Sequence, residues 1–347
     1  MNYPVRQYSK ILQLILLLPC VFYLPNAEAQ TTNTPIPFGI AATPPASGDN
    51  YESILRVSQQ TGIVALASLW YDGFTGETHT CQSVAPLIKY AQSLNLQVVV
   101  RFEAVIIGIP SVPRGLGESS FGNPAVVSAY LNQIACFASL QVDYLVLGPE
   151  INFAYRLNRP EFDLYAKLYK KAYNLMKLRS PNTRVGVSYQ YLSMMEYNEW
   201  EAVDLIGPQD YVGFTKYFGI TLDHYLLFPD PSFVPDYFFK PIRDHFPDRP
   251  IVFTEYAWSS YYTSSTGMYH QARLLLQTPR LMAAVQPDLV MWASLHDLES
   301  FKNVTGLKAT DLVGLWSKTT VSEPKPAWFY LQKMFTDGFF LPYVNIP

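Results

Sequence analysis

Two kinds of segment alternate along the chain. The first kind is short and apolar throughout, at residues 36–42, 63–71, 96–105, 144–150, 184–191, 211–217, 250–259 and 289–295. Runs of this length without polar alternation are the pattern of parallel strands covered on both faces. The second kind carries apolar residues at helical spacing, at residues 51–60, 80–94, 125–140, 161–179, 194–203, 236–245, 269–285 and 326–335. In 80–94, for instance, Val84, Leu87, Ile88 and Ala91 share one face, and 161–179 is stopped by Ser180-Pro181-Asn182. Eight strands and eight helical segments in strict alternation predict an α/β protein, a single (β/α)8 TIM barrel. The rival is an open doubly wound sheet. The first strand closes on Thr43-Pro44-Pro45, where that architecture would place a Gly-rich phosphate turn.

The start of the chain follows a different pattern. Arg6 and Lys10 give a basic beginning, residues 11–24 an apolar run, and Ala27-Glu28-Ala29 a small-x-small site. That is a secretory signal peptide over residues 1–29, leaving the barrel catalytic domain to residues 30–347. The apolar run is short for a membrane span of roughly twenty residues, and Pro19 before Cys20 is not the small residue a lipoprotein signal would need. The expectation is an exported protein without a membrane span, secreted or periplasmic. The formal charge is −3 over 347 residues, and removing Arg6, Lys10 and Glu28 with the leader takes it to −4. Nothing in that balance fits a polyanion, so no nucleic-acid partner is expected. The five histidines (79, 224, 245, 270, 296) show no H-E-x-x-H spacing and two mature cysteines are too few for a thiolate zinc site. No metal and no cofactor are expected, and the chain reads as a monomer. Cys81 and Cys136 fit either a disulfide, which export permits, or two separately buried thiols.

Candidate chemistry comes from two strand ends. Y-L-V-L-G-P-E runs into Glu150 and P-I-V-F-T-E runs into Glu255, the fourth and seventh strands by count. A carboxylate ending a buried strand is most often an ion-pair partner. Two of them, at the end of a barrel where active sites form, suggest a catalytic pair. Strict alternation would put Val146, Gly148 and Glu150 on one face, and Ile251, Phe253 and Glu255 on one face. Arg101 and Glu103 share a face near the end of strand three and read as an Arg–Glu pair that orients the site. On strand six the neighbours Tyr217 and Lys216 must point to opposite sides; an inward Tyr217 would serve the carboxylates, an inward Lys216 a Schiff base. Trp70, Trp258 and Trp292 are either sugar-stacking faces or core. His296, followed by Asp297 just past strand eight, is a candidate for the cleft lining.

These motifs resemble clan A of the glycoside hydrolases, whose (β/α)8 barrels carry an acid/base Glu after strand four and a nucleophile Glu after strand seven. The motifs are most similar to the endo-β-1,4-galactanase (arabinogalactanase) family. G-P-E-I-N (Gly148 to Asn152) is similar to its G-N-E-I-N, D-Y-V-G-F-T-K-Y (Asp210 to Tyr217) to its strand-six motif, and T-E-Y-A-W (Thr254 to Trp258) to its nucleophile segment. Trp292 resembles the clan's subsite Trp. The chain departs from the pattern at Pro149, where the clan has an Asn expected to bond the sugar 2-hydroxyl, and at R-F-E-A (Arg101 to Ala104) in strand three. The resemblance implies an exported retaining glycoside hydrolase acting on a β-linked poly- or oligosaccharide. Glu150 is then the acid/base, Glu255 the nucleophile, and Asn152 a substrate-binding residue. Two alternatives remain open: a carbohydrate-binding barrel with lost or weak catalysis, motivated by Pro149, and a Schiff-base lyase using Lys216. Long segments at 106–123 and 222–235 would shape a cleft, and Asn303-Val304-Thr305 is a glycosylation sequon.

Overall fold

The structure, a computed structural model, describes residues 35–42, 51–70, 80–106, 108–218, 228–260, 267–297, 314–316 and 323–341. The leader, the sequon and residues 222–227 of segment 222–235 lie outside the described residues. Eight parallel strands close into a barrel: β1 (Ile36–Ala42), β2 (Ile63–Leu69), β3 (Gln97–Glu103), β4 (Tyr144–Leu147), β5 (Arg184–Gln190), β6 (Tyr211–Phe218), β7 (Ile251–Trp258) and β8 (Leu289–Trp292). Each pairs with the next, and β8 returns to β1 through Phe38↔Val290 and Ile40↔Trp292. The described helices are α1 (Tyr51–Ser58), α2 (Cys81–Ser93), α3 (Pro124–Leu140), α4 (Asn152–Leu157), α5 (Arg159–Arg179), α6 (Tyr191–Tyr197), α7 (Ala202–Ile206), α8 (Lys240–His245), α9 (Gly267–Met282) and α10 (Pro326–Thr336). The single (β/α)8 barrel is the fold.

Apolar residues separate into two layers, which fix the inside and outside of the barrel. An inner cluster includes Ala65, Val99, Val146, Tyr211, Val252 and Met291. An outer one, between strands and helices, takes Val64, Val98, Val100, Leu145, Val212, Ile251 and Phe253. Period-2 alternation then assigns faces strand by strand. Large inward side chains need small partners. A Cβ on Gly186 would meet the Tyr211 ring at 2.7 Å, so the glycine leaves Tyr211 room to fill the interior, where its hydroxyl donates to the Leu145 carbonyl at 3.1 Å.

Several expected boundaries move. The helix expected at 194–203 divides into α6 and α7, with Asn198 in the left-handed region closing α6. The helix expected from 236 starts only at Lys240, where Pro241 sits in the first turn. Segment 106–123 contains a small hairpin, Val105–Ile106 with Ile109–Pro110, and Phe340–Leu341 adds a short strand beside β1. Cys81 and Cys136 form a disulfide joining α2 to α3, with Cα atoms 6.1 Å apart. Closing a loop of that sequence separation, 55 residues, contributes about 4 kcal/mol on the chain-entropy account.

Candidate active site

Four strands deliver side chains to one end of the barrel. On β3, Val99 is inward, so Arg101 and Glu103, two and four residues on, point inward toward the C-terminal end. Arg101 is 7% exposed. Its Nη1 pairs with Glu255 and its Nη2 lies 3.4 Å from Glu103. On β6, the inward Tyr211 places Thr215 and Tyr217 inward by the same count. The Tyr217 hydroxyl donates to Glu255, and the Thr215 hydroxyl to Glu150 at 2.8 Å. Thr215 is also the Cα partner of Glu255 across the β6–β7 pair. The two candidate carboxylates therefore flank one threonine.

Neither glutamate arrives there by simple alternation. On β7, Ile251 and Phe253 belong to the outer cluster and Val252 to the inner one, which would send Glu255 outward. The register slips on both sides of β7: Phe214↔Phe253 is followed by Thr215↔Glu255, and Val290↔Phe253 by Trp292↔Tyr256. That irregularity takes up Thr254 and turns Glu255 inward, a common use of bulges near sites. The expected common face of Ile251, Phe253 and Glu255 is thus corrected.

Glu150 lies beyond β4, which stops at Leu147. Gly148 and Glu150 both take positive φ, 74° and 52°. For Gly148 the conformation is cheap, and a Cβ there would also meet the Tyr165 hydroxyl at 2.9 Å. For Glu150 the left-handed region costs on the order of 1 kcal/mol. Strain of this kind persists where surroundings over-determine it. The turn is held to β5 by Ile151 N–H donating to the Ser188 carbonyl (3.1 Å) and Ser188 N–H donating to the Gly148 carbonyl (3.4 Å).

Among the described residues the charges at this end of the barrel do not balance, and this sets two of the carboxyls apart. Three carboxyls, Glu103, Glu150 and Glu255, share one guanidinium. Burial pushes the Glu150 carboxyl above its usual range; the Thr215 bond opposes this, the Glu103 charge adds to it, and Arg101 lowers it. Burial raises Glu103 as well, against the pull of Arg101. Glu255 receives both Arg101 and the Tyr217 hydroxyl, and burial keeps that phenol firmly protonated as a donor. One carboxylate thus has its charge met while its neighbour is pushed toward the acid form, the arrangement that separates nucleophile from proton donor.

Other candidates sit elsewhere. Asn152 is fully buried; its amide bonds the Gln190 backbone and Glu199, leaving it no free polar atom for a sugar. Trp70, Trp258 and Trp292 are all at most 1% exposed. Trp70 packs against Phe102 and Tyr130, Trp258 stacks on Phe218, and Trp292 meets the Tyr256 ring edge-on. A buried Trp removes roughly 200 Å² from water, about 5 kcal/mol, so these three serve the core. His296 is partly buried, its ring 5.8 Å from Trp316. Thr215 was not singled out in the sequence, although its spacing of two from Tyr217 puts it on the same face. A hollow of about 240 Å³ between Thr61, Trp328 and Leu331 is at the N-terminal end of the strands, remote from the carboxylates.

Lys216 faces away from the carboxylates. Its strand neighbours Thr215 and Tyr217 are inward, and its ammonium lies 4.0 Å over the Phe218 ring and 2.8 Å from the Tyr217 carbonyl. Burial lowers its pKa to about 7. An unfolded lysine titrates near 10.4. As pH falls from 10 to 7 the unfolded chain gains a proton that the folded protein does not, so stability falls through that window. Below pH 7 the penalty is complete, on the order of 2–4 kcal/mol after the Phe218 stack offsets part of it. Lys216→Met is therefore expected to raise Tm by several degrees at pH 6.5, with the gain shrinking toward pH 10. A pH-independent difference in a Tm series would contradict this account.

The sequence matches no protein-family model and no curated protein. Solved structures do share the fold. GH5_18 from Streptomyces cattleya in complex with GlcNAc superposes with a TM-score of 0.65 at 14% identity, covering 88% of this chain and 80% of that one. The beta-glycosidase BGL167 gives 0.63 at 12% identity, covering 91% of this chain and 100% of its own. Native xylanase 10B from Thermotoga maritima gives 0.61 at 14%, covering 87% and 95%. At these identities what is shared is the barrel.

Proposed function

We propose that the protein is an exported retaining glycoside hydrolase that cleaves a β-linked poly- or oligosaccharide through a glycosyl-enzyme intermediate. One observation carries the reading: Glu255 has its charge met by Arg101 and Tyr217, while Glu150, on the other side of Thr215, is pushed toward the acid form. Glu255 attacks the anomeric carbon. Glu150 protonates the leaving oxygen, then takes a proton from the water that releases the sugar. Glu103 holds Arg101 from its other side. The class is supported by neighbours of the same fold that include a beta-glycosidase and a xylanase. Export rests on the signal peptide read at residues 1–29.

The carbohydrate-binding alternative rests on Pro149, which cannot offer the sugar an amide. A Schiff-base lyase draws no support from Lys216, whose amine packs under Phe218. A panel of β-glucans, galactans, mannans and xylans, screened for released reducing ends and product anomer, tests the reading. Net retention together with fluoro-sugar mass at Glu255 is the expected result. Binding without release or labelling on every member would favour the non-catalytic barrel, and inversion would exclude the intermediate.

A further inference from the structure

The turn that carries Glu150 is gripped from behind by a buried carboxylate that takes no part in the chemistry above. Asn152 and Arg156 are four residues apart and so share one face of α4. Both reach Glu199, in the connection between α6 and α7. Asn152 Nδ2 donates to Glu199 Oε2 at 2.7 Å, and Arg156 Nε stands 3.2 Å from Oε1. Ser193 Oγ donates to Oε2 at 2.9 Å, and Glu199 N–H donates to the Met194 carbonyl at 3.1 Å. The Glu199 side chain is 3% exposed.

The rest of the Asn152 amide faces the last residue of β5. Its Oδ1 accepts from Gln190 N–H at 2.8 Å, and its Nδ2 donates to the Gln190 carbonyl at 3.3 Å. Asn152 thereby extends β5 as a strand neighbour would, two residues after Glu150. We propose that Glu199 is a positioning residue: acting through Asn152, it locks the left-handed Glu150 turn against β5 and so holds the Glu150 carboxyl on Thr215. Four observations converge on this. Glu150 keeps a φ of 52° that a glutamate adopts rarely. The turn bonds β5 at Ser188 through its backbone and at Gln190 through Asn152. The remaining hydrogen-bonding capacity of Asn152 ends on Glu199. Arg156, on the same helix face, ends on Glu199 as well.

The inference rests on the glycosidase reading, and the test separates the two. Glu199→Ala and Asn152→Asp, the latter keeping the acceptor for Gln190 N–H, are compared with wild type, Glu199→Gln and Glu150→Gln. The substrates are a dinitrophenyl and an alkyl β-glycoside of the sugar best cleaved in the panel. The ratio of kcat/KM on the two substrates reports the glycosylation step alone and does not depend on how much of a preparation is folded. A merely structural role would leave it unchanged. Glu199→Ala and Asn152→Asp are expected to raise the dinitrophenyl-to-alkyl ratio of kcat/KM at least tenfold, and Glu199→Gln, which still accepts from Asn152, to restore it. An unchanged ratio in both variants, while Glu150→Gln shows the leaving-group effect, overturns the inference. If Glu150→Gln shows no such effect, the glycosidase reading fails instead. Crystal structures then decide: Glu150 displaced from Thr215 in Asn152→Asp supports positioning, and an undisturbed 2.8 Å contact overturns it.

Discussion

Glu255→Ala is expected to lose hydrolysis by roughly 10⁴-fold or more, and added azide to return activity with an inverted product. The geometry makes this more than a generic nucleophile test. Glu255 is the carboxylate that both Arg101 and Tyr217 address, so its removal leaves a buried guanidinium and a phenol aimed at a vacated position. A small anion can enter there, be held by the same cation, and attack the anomeric carbon from the face Glu255 would have used. With no second displacement to follow, the product is the inverted glycosyl azide. Product anomer by NMR is the measurement. Rescue with net retention would assign the nucleophile elsewhere, and undiminished hydrolysis without azide would remove Glu255 from the reaction.

The barrel was legible because it rests on segment-scale pattern. Eight runs apolar on both faces have few other ways to be covered, and each appears as a strand within a few residues of its expected bounds. The two glutamates were also legible as strand-end carboxylates, but strict alternation does not account for how they point. Counting by twos assumes an unbroken strand, and β7 slips at Thr254 while β4 ends three residues before Glu150. On β6, where the ladder is regular over residues 215–218, counting correctly sent Tyr217 and Lys216 to opposite sides. The tryptophans show a different limit. Residue type and proximity to a strand end do not separate a sugar platform from a core aromatic; that depends on which helix residues arrive from distant sequence, such as Tyr130 against Trp70. The Cys81–Cys136 bridge was open for the same reason, since it depends on how α2 packs beside α3. Glu199 left no trace in the motif at all, because its importance lies in Asn152, 47 positions away.

Glu150→Ala is expected to discriminate between leaving groups rather than to abolish turnover uniformly. General acid catalysis contributes roughly 10²–10⁴-fold, and it is needed in proportion to the basicity of the departing oxygen. An alkyl glycoside or a polysaccharide should lose most of that factor. A dinitrophenyl glycoside, whose leaving group departs as a stable anion, should form the glycosyl-enzyme at nearly the wild-type rate. The variant then stalls at the second step, where the same carboxyl would have activated water. Azide, which needs no general base, should relieve that stall and give a product of retained configuration, the opposite anomer from Glu255→Ala. The pH profile supplies a separate check. Because burial and the Glu103 charge raise Glu150, wild-type activity on alkyl glycosides should decline as pH rises through the folded pKa of Glu150, above the ordinary carboxyl range. That basic limb should be absent from the variant's first step on the dinitrophenyl substrate. Equal impairment of kcat/KM on both substrates, or an unaltered basic limb, would take the acid role away from Glu150.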